Sequence, residues 1–244
     1  MTTLKADYGI DAPTAVRNLT IWGAIALIAC FVFHRTMVPA RPVAGTILLI
    51  AGFVSAFCLL LAAGLLVWSS KFGKLLQRER LIDSLGLVGS ENVLDIGCGR
   101  GLLLNGVARR LPDGRAFGID LWQKIDQSGN NPEATLANAK AENVAGRVEI
   151  RTADMRNLPF PDESMDAVIS SIAIHNVPDE NGRIKAISEI ARVLKSKGRI
   201  AIQDLHATGE YVKTLRRLGW KDVELSRANF WIFPPVRIVT GRKP

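Results

Sequence analysis

The chain has 244 residues, 48% apolar and 22% charged, enough for one large domain or a domain with an appendage and too balanced for a disordered chain. The first 70 residues hold only four basic and two acidic side chains, so most of the net charge of +8 is spread over the rest, without the clustered stripe that nucleic-acid binding needs. Cys30, Cys58 and Cys98 have neither disulfide-framework nor zinc spacing, which points to a reducing compartment and no structural metal.

The mean hydropathy of +0.16 is carried by the N-terminal part. Leu19 to Phe33 is an uncharged apolar run of 15 residues, and Val43 to Trp68 is a second of 26. The second is long enough to cross a ~30 Å hydrocarbon layer as a helix. The first spans only if Arg17, His34 and Arg35 snorkel. The expectation is a membrane hairpin with helices at about 17–37 and 43–69. A cleaved signal ending near Ala40 and a re-entrant or interfacial hairpin remain as alternatives. Lys71, Lys74, Arg78 and Arg80 crowd the exit of the second run, so the positive-inside rule puts everything after it in the cytoplasm. Gly45, Gly52, Ala56 and Ala63 recur at helical spacing, suited to packing within the hairpin or in a homo-oligomer built through it. The domains expected are therefore 1–70, the anchor, and 71–244, the soluble part.

From residue 71 the pattern alternates. An amphipathic helix over 74–86 precedes a short strand, NVLDIG, that ends in a glycine turn. Then follow a helix over 101–111, a strand in AFGID, and a helix opened by Asn131 as N-cap and Pro132. Strands are predicted over 147–154 and 165–174, a helix over 182–194 stopped by a Lys197-Gly198 turn, and a strand over 198–205. A helix over 210–219 leads to two last strands, near 221–227 and 236–242, joined without a helix, so one of them is antiparallel. Alternating strands and helices of this kind imply an α/β, doubly wound, seven-stranded Rossmann-like sheet with the last strand antiparallel and ligands at the carboxyl ends of its strands.

The chemistry concentrates in VLDIGCGRG, residues 93–101. Glycines at a strand-to-helix turn let the backbone approach a ligand, but the third glycine of a dinucleotide fingerprint is replaced by Leu102. An acid at Asp95, two residues before the first glycine, suits a cofactor with a cationic amino-acid end better than a pyrophosphate. On these residues the chain resembles the class I S-adenosylmethionine-dependent methyltransferases, over about 93–207 by motif. The resemblance implies that Asp95, Gly97 and Gly99 surround the methionine part of the cofactor. It implies that Asp120 accepts the ribose hydroxyls, with Leu121 beside it, and that Asp154 and Met155 meet the adenine. Ser171, in the fourth-strand motif, joins the same cofactor set. The turn Ser196-Lys197-Gly198 departs from the family's Pro-Gly-Gly.

The acceptor is less legible. His175, just past the fourth strand, is the candidate base, with Asn176 beside it to orient a polar group. Trp122 is a candidate to stack on adenine or touch the acceptor, and Asp126, Gln127 and Asn130 are candidates to line either. Trp231, in the aromatic turn NFWIFPP, is a candidate wall of a lipophilic pocket or a membrane contact. The resulting expectation is a membrane-bound, two-span enzyme with a cytoplasmic catalytic domain. It moves the methyl of S-adenosylmethionine to a lipophilic small molecule or lipid and releases S-adenosylhomocysteine, with no metal and no nucleic acid. Two alternatives stand beside it: methylation of a small thiol or xenobiotic, and a non-catalytic, cofactor-binding membrane partner.

Overall fold

The computed structural model describes residues 6–36, 42–123 and 127–244. Two helices open the chain, α1 (Pro13–Thr36) and α2 (Pro42–Trp68), of 24 and 27 residues. At 1.5 Å per residue both reach across a ~30 Å apolar layer. Helix α1 starts four residues before the expected Arg17, because Pro13 supplies a preset φ at a position where its missing N–H costs nothing. The two pack against each other along a seam of small residues: Gly45, Ala56 and Ala63 are buried, and a Cβ on Gly52 would lie 2.6 Å from Cys30 Sγ. The outward faces carry exposed Trp22, Ile28, Phe31, Ile47 and Phe57. Residues 37–41 of the expected outer loop lie outside the described residues, as does Asp126.

Helix α2 runs without a break into a π-turn, Ser69–Gly73, and then into α3 (Lys74–Asp83). The glycine at 73 is required by a close approach: a Cβ there would fall 1.9 Å from the Trp231 carbonyl oxygen. The alternating part follows as β1 (Asn92–Ile96), α4 (Leu102–Arg109), β2 (Arg115–Asp120), α5 (Pro132–Ala141), β3 (Val148–Thr152), β4 (Met165–Ser171), α6 (Glu180–Val193), β5 (Leu194–Asp204), α7 (Thr208–Arg217), β6 (Val223–Leu225) and β7 (Arg237–Arg242). The strand order is β3-β2-β1-β4-β5-β7-β6, with β7 antiparallel to both neighbours and the other pairs parallel. Side chains alternate across the sheet. Leu94, Val168, Ile200 and Ile202 join the core under α6 and α7, while Val93, Ala167, Ile169 and Ala201 join the one under α3 and α4. Burial on both faces is what a doubly wound sheet requires.

The differences from expectation lie at element ends. Strand β5 begins at Leu194, not after the turn, because Leu194 pairs with Met165 of β4 across a bulge, and Lys197 N and Lys243 N donate to the carbonyls of Lys243 and Gly198 at 3.0 and 2.8 Å. Strand β4 stops at Ser171, where Ile172 takes φ 53, and a 3₁₀ turn, Ile174–Asn176, follows. Strand β6 has three residues.

Residues 7–11, counted with the anchor on sequence, lie against the α/β domain. Asp7 N donates to Asn138 Oδ1 at 2.9 Å and Ile10 N to Ser128 Oγ at 2.8 Å. The Tyr8 hydroxyl donates to Glu142. Lys74 Nζ reaches the Tyr8 carbonyl at 2.7 Å. Both ends of the hairpin thus meet the domain on one side.

Candidate active site

The carboxyl ends of β1, β2, β3 and β4 open into a cavity of about 360 Å³, a volume typical of small-molecule sites. Its floor is the glycine turn after β1. Gly97 holds φ 71, and a Cβ there would lie 2.2 Å from that of Ala173, so the turn admits only glycine. The amides of Gly97 and Cys98 both donate to the Ile119 carbonyl, at 2.9 and 3.0 Å, tying the turn to β2. Asp120, at the end of β2, accepts from Gly99 N at 2.8 Å and from Trp122 N at 2.6 Å. Its carboxylate is thereby fixed beside the turn.

The carboxylates along the cleft are not alike. Asp95 is 2% exposed, and neither oxygen accepts an aligned hydrogen bond among the described residues. Burial pushes its pKa up to about 8, opposed by the nearby Leu104 amide and reinforced by the charge of Asp120. Asp154, past the end of β3, forms an ion pair with Arg156 at 2.6 Å. Hydrogen bonding from that guanidinium holds its carboxyl below the usual range. Asn130 is also buried, with its Oδ1 unpartnered.

These residues fit S-adenosylmethionine. A buried carboxylate with both oxygens free calls for a cation, and the amino-acid end of the cofactor brings one to the glycine turn. Asp120 would meet the ribose and Asp154 the adenine in the expected arrangement, each one strand further along the sheet.

Asp95, Gly97, Gly99, Asp120, Leu121, Asp154, Met155, Ser171 and Asn176 line this one cavity. Three sequence candidates stand outside its wall. Trp122 turns its indole to Thr152, donating from Nε1 to Oγ1 at 2.7 Å. Trp231 stacks on Trp68 at a centroid distance of 6.2 Å, while its neighbour Ile232 enters the wall. His175 is drawn toward β5: its Nδ1 lies 2.5 Å from Asp204 Oδ1, and its amide donates to Asp204 Oδ2 at 3.0 Å. Asp204, wholly buried, also accepts from the Tyr211 hydroxyl at 3.0 Å. Among the wall residues without a clear signal in the sequence are Asp11, Lys74, Gln123 and Ile232. The first two sit at the two ends of the hairpin, where charge reads as flanking a span.

Residues 94–202 match the family described as methyltransferase domain. A demethylmenaquinone methyltransferase of Lactobacillus johnsonii is 29% identical over 147 residues, which are 59% of this chain and 54% of that protein. The ubiquinone/menaquinone biosynthesis C-methyltransferase UbiE of Citrifermentans bemidjiense is 33% identical over 126 residues, 51% of this chain and 50% of its own. The chain thus spans about half the length of the curated relatives it matches. Among solved structures, geranyl diphosphate C-methyltransferase from Streptomyces coelicolor A3(2), in complex with Mg2+, geranyl diphosphate and S-adenosyl-L-homocysteine, shares the fold. Its TM-score is 0.56 at 17% identity, over 69% of this chain and 79% of that one. With the β3-β2-β1-β4-β5-β7-β6 sheet and the acid-glycine turn at its ligand edge, residues 94–202 form a methyltransferase domain, in the fold that class I S-adenosylmethionine-dependent methyltransferases share.

Proposed function

We propose that the chain methylates a lipophilic small molecule or lipid at a membrane surface, its first two helices inserted as a hairpin and its α/β domain on the cytoplasmic side. The observation that carries this reading is the closeness of the hairpin exit to the cofactor cleft. Lys74, one residue past the π-turn, and Ile232, in the aromatic turn, both line the cavity. The Phe233 amide donates to Ser69 Oγ at 3.0 Å, and Asn229 Nδ2 to Gln77 Oε1 at 2.8 Å, holding that turn against the helix. The Arg80 guanidinium lies 5.3 Å from the centroid of the Trp231 ring, and Phe72 in the π-turn and Phe230 in the aromatic turn are exposed. Aromatic rings and basic residues grouped at the end of an apolar helix suit a bilayer interface. The apolar faces of α1 and α2 also exceed what a soluble monomer leaves in water. The relatives named for demethylmenaquinone and ubiquinone/menaquinone support an acceptor of quinone type.

Bound in the cleft, the cofactor supplies an electrophilic methyl carbon on a sulfonium. The chain's own work is then alignment and exclusion of water, which account for much of the rate of an in-line displacement. Ser171 and Asn176 offer polar groups to orient the acceptor, and Ala173, Val177 and Ile232 make that part of the wall apolar. His175, next to Asn176 and with its Nδ1 2.5 Å from Asp204 Oδ1, stands behind this wall as the candidate to take a departing acceptor proton.

Incubating the full chain with methyl-labelled cofactor and a membrane extract, followed by organic and aqueous partition, tests this. Label should enter the organic phase, and Trp231→Ser should lower that transfer several-fold with cofactor affinity unchanged. Label confined to the aqueous phase would contradict a lipophilic acceptor.

A further inference from the structure

One wall of the cleft is built from three distant stretches that the proposed chemistry does not use. Asp11, Lys74 and Gln127 line it together. Asp11 Oδ1 accepts from Lys74 Nζ and from Gln127 Nε2, both at 3.0 Å, and Oδ2 from Lys74 at 3.3 Å. The ammonium of Lys74 also donates to the carbonyls of Tyr8 at 2.7 Å and Gly9 at 3.3 Å, so its donors are spent on the segment before α1. Gln127 Oε1 accepts from the Arg100 amide at 3.0 Å. A relay therefore runs from the exit of α2, through Asp11 and Gln127, into the glycine turn.

Its place along the sheet says which part of a ligand it meets. The relay ends on the turn after β1, two strands from the end of β3 where Asp154 lies. Asp95 and Asn130, whose oxygens are buried and unpartnered among the described residues, line the same cavity. Four carboxylates, Asp11, Asp95, Asp120 and Asp154, share the wall with two cations, Lys74 and Arg156. Both cations are already paired, with Asp11 and Asp154. The Asp11 side chain keeps 35% of its surface exposed. With both cations engaged and Asp120 in no ion pair among the described residues, the wall favours a positively charged ligand group.

We propose that Asp11 is a cofactor-binding residue for the amino-acid end of S-adenosylmethionine, aimed by Lys74 and Gln127 as positioning residues. This rests on the reading of the cleft as the S-adenosylmethionine site. The site is then completed by the segments entering and leaving the hairpin, so that its assembly depends on those two helices being seated together.

The test titrates two ligands into the full chain held in lipid discs: S-adenosylhomocysteine, and 5′-methylthioadenosine, which lacks the amino-acid end. Asp11→Asn should weaken S-adenosylhomocysteine about tenfold and leave methylthioadenosine unchanged. Gln127→Ala, which leaves the Lys74 clasp intact, should show the same selectivity at about threefold. Lys74→Met should behave like Asp11→Asn, with Lys74→Arg restoring most of the loss. Equal weakening of both ligands would mean that the segment only holds the fold, and unchanged affinity for both would mean that Asp11 meets nothing; either overturns the proposal. If the unaltered chain binds neither ligand, the cofactor reading falls and takes the proposal with it.

Discussion

At one end of the cleft Asp154 is bound to Arg156 at 2.6 Å and held ionised; at the other Asp95 is buried, unpaired and raised to about 8. The same side chain faces the same cavity in opposite states, by burial at one end and by a guanidinium at the other, which suits two different contacts with the proposed cofactor. A carboxylate that meets a neutral amine can keep a cation of its own, since it gives up little on binding. A fully buried carboxylate that meets a cation is left without one of its own, and it waits in its protonated form because a bare charge in that setting is costly. In the proposed reading the asymmetry gives the cleft a direction, with the amino-acid end of the cofactor at β1 and the adenine end at β3.

The largest effect that would break this contrast is at Asp95. Asp95→Ala removes one partner of a buried charge pair and should weaken S-adenosylmethionine by about 2–4 kcal/mol, roughly 30- to 1,000-fold in calorimetric titration. The same residue should reveal itself without ligand. Its folded-state pKa lies above its unfolded value of 3.8, so its protonated form favours folding. That contribution is full below about pH 4 and is lost as pH rises toward 8. Asp95→Asn should therefore resist urea better than the unaltered chain at pH 8, and the advantage should vanish near pH 4. Asp154→Asn sharpens the contrast from the other end. It keeps an acceptor in a partly solvated place, and should cost about 1 kcal/mol or less, within about fivefold in affinity.

What the sequence disclosed and what it hid divide along range of interaction. The glycine turn, the cap at Asn131 and the alternation of strands were legible because each is a local pattern: Asn131 accepts from Ala134 N at 2.7 Å, three residues on. The start of β5 was not, since nothing near Leu194 reports that Met165, 29 positions earlier, will pair with it. Nor was the role of residues 7–11. They are too few and too polar for a period, and their partners, Asn138 and Lys74, lie 131 and 66 positions away. Trp122 pairs its indole with Thr152 across 30 positions, a choice made by tertiary structure and invisible to composition.

The claim on which everything else stands is that a cation enters the β1 end of the cleft and ionises Asp95. Titrating S-adenosylmethionine into the full chain at pH 6.5, in two buffers of different ionisation enthalpy, reads that event as protons released. About one proton per cofactor should leave the unaltered chain, and none should leave Asp95→Asn. Binding with no proton released by the unaltered chain would contradict the account.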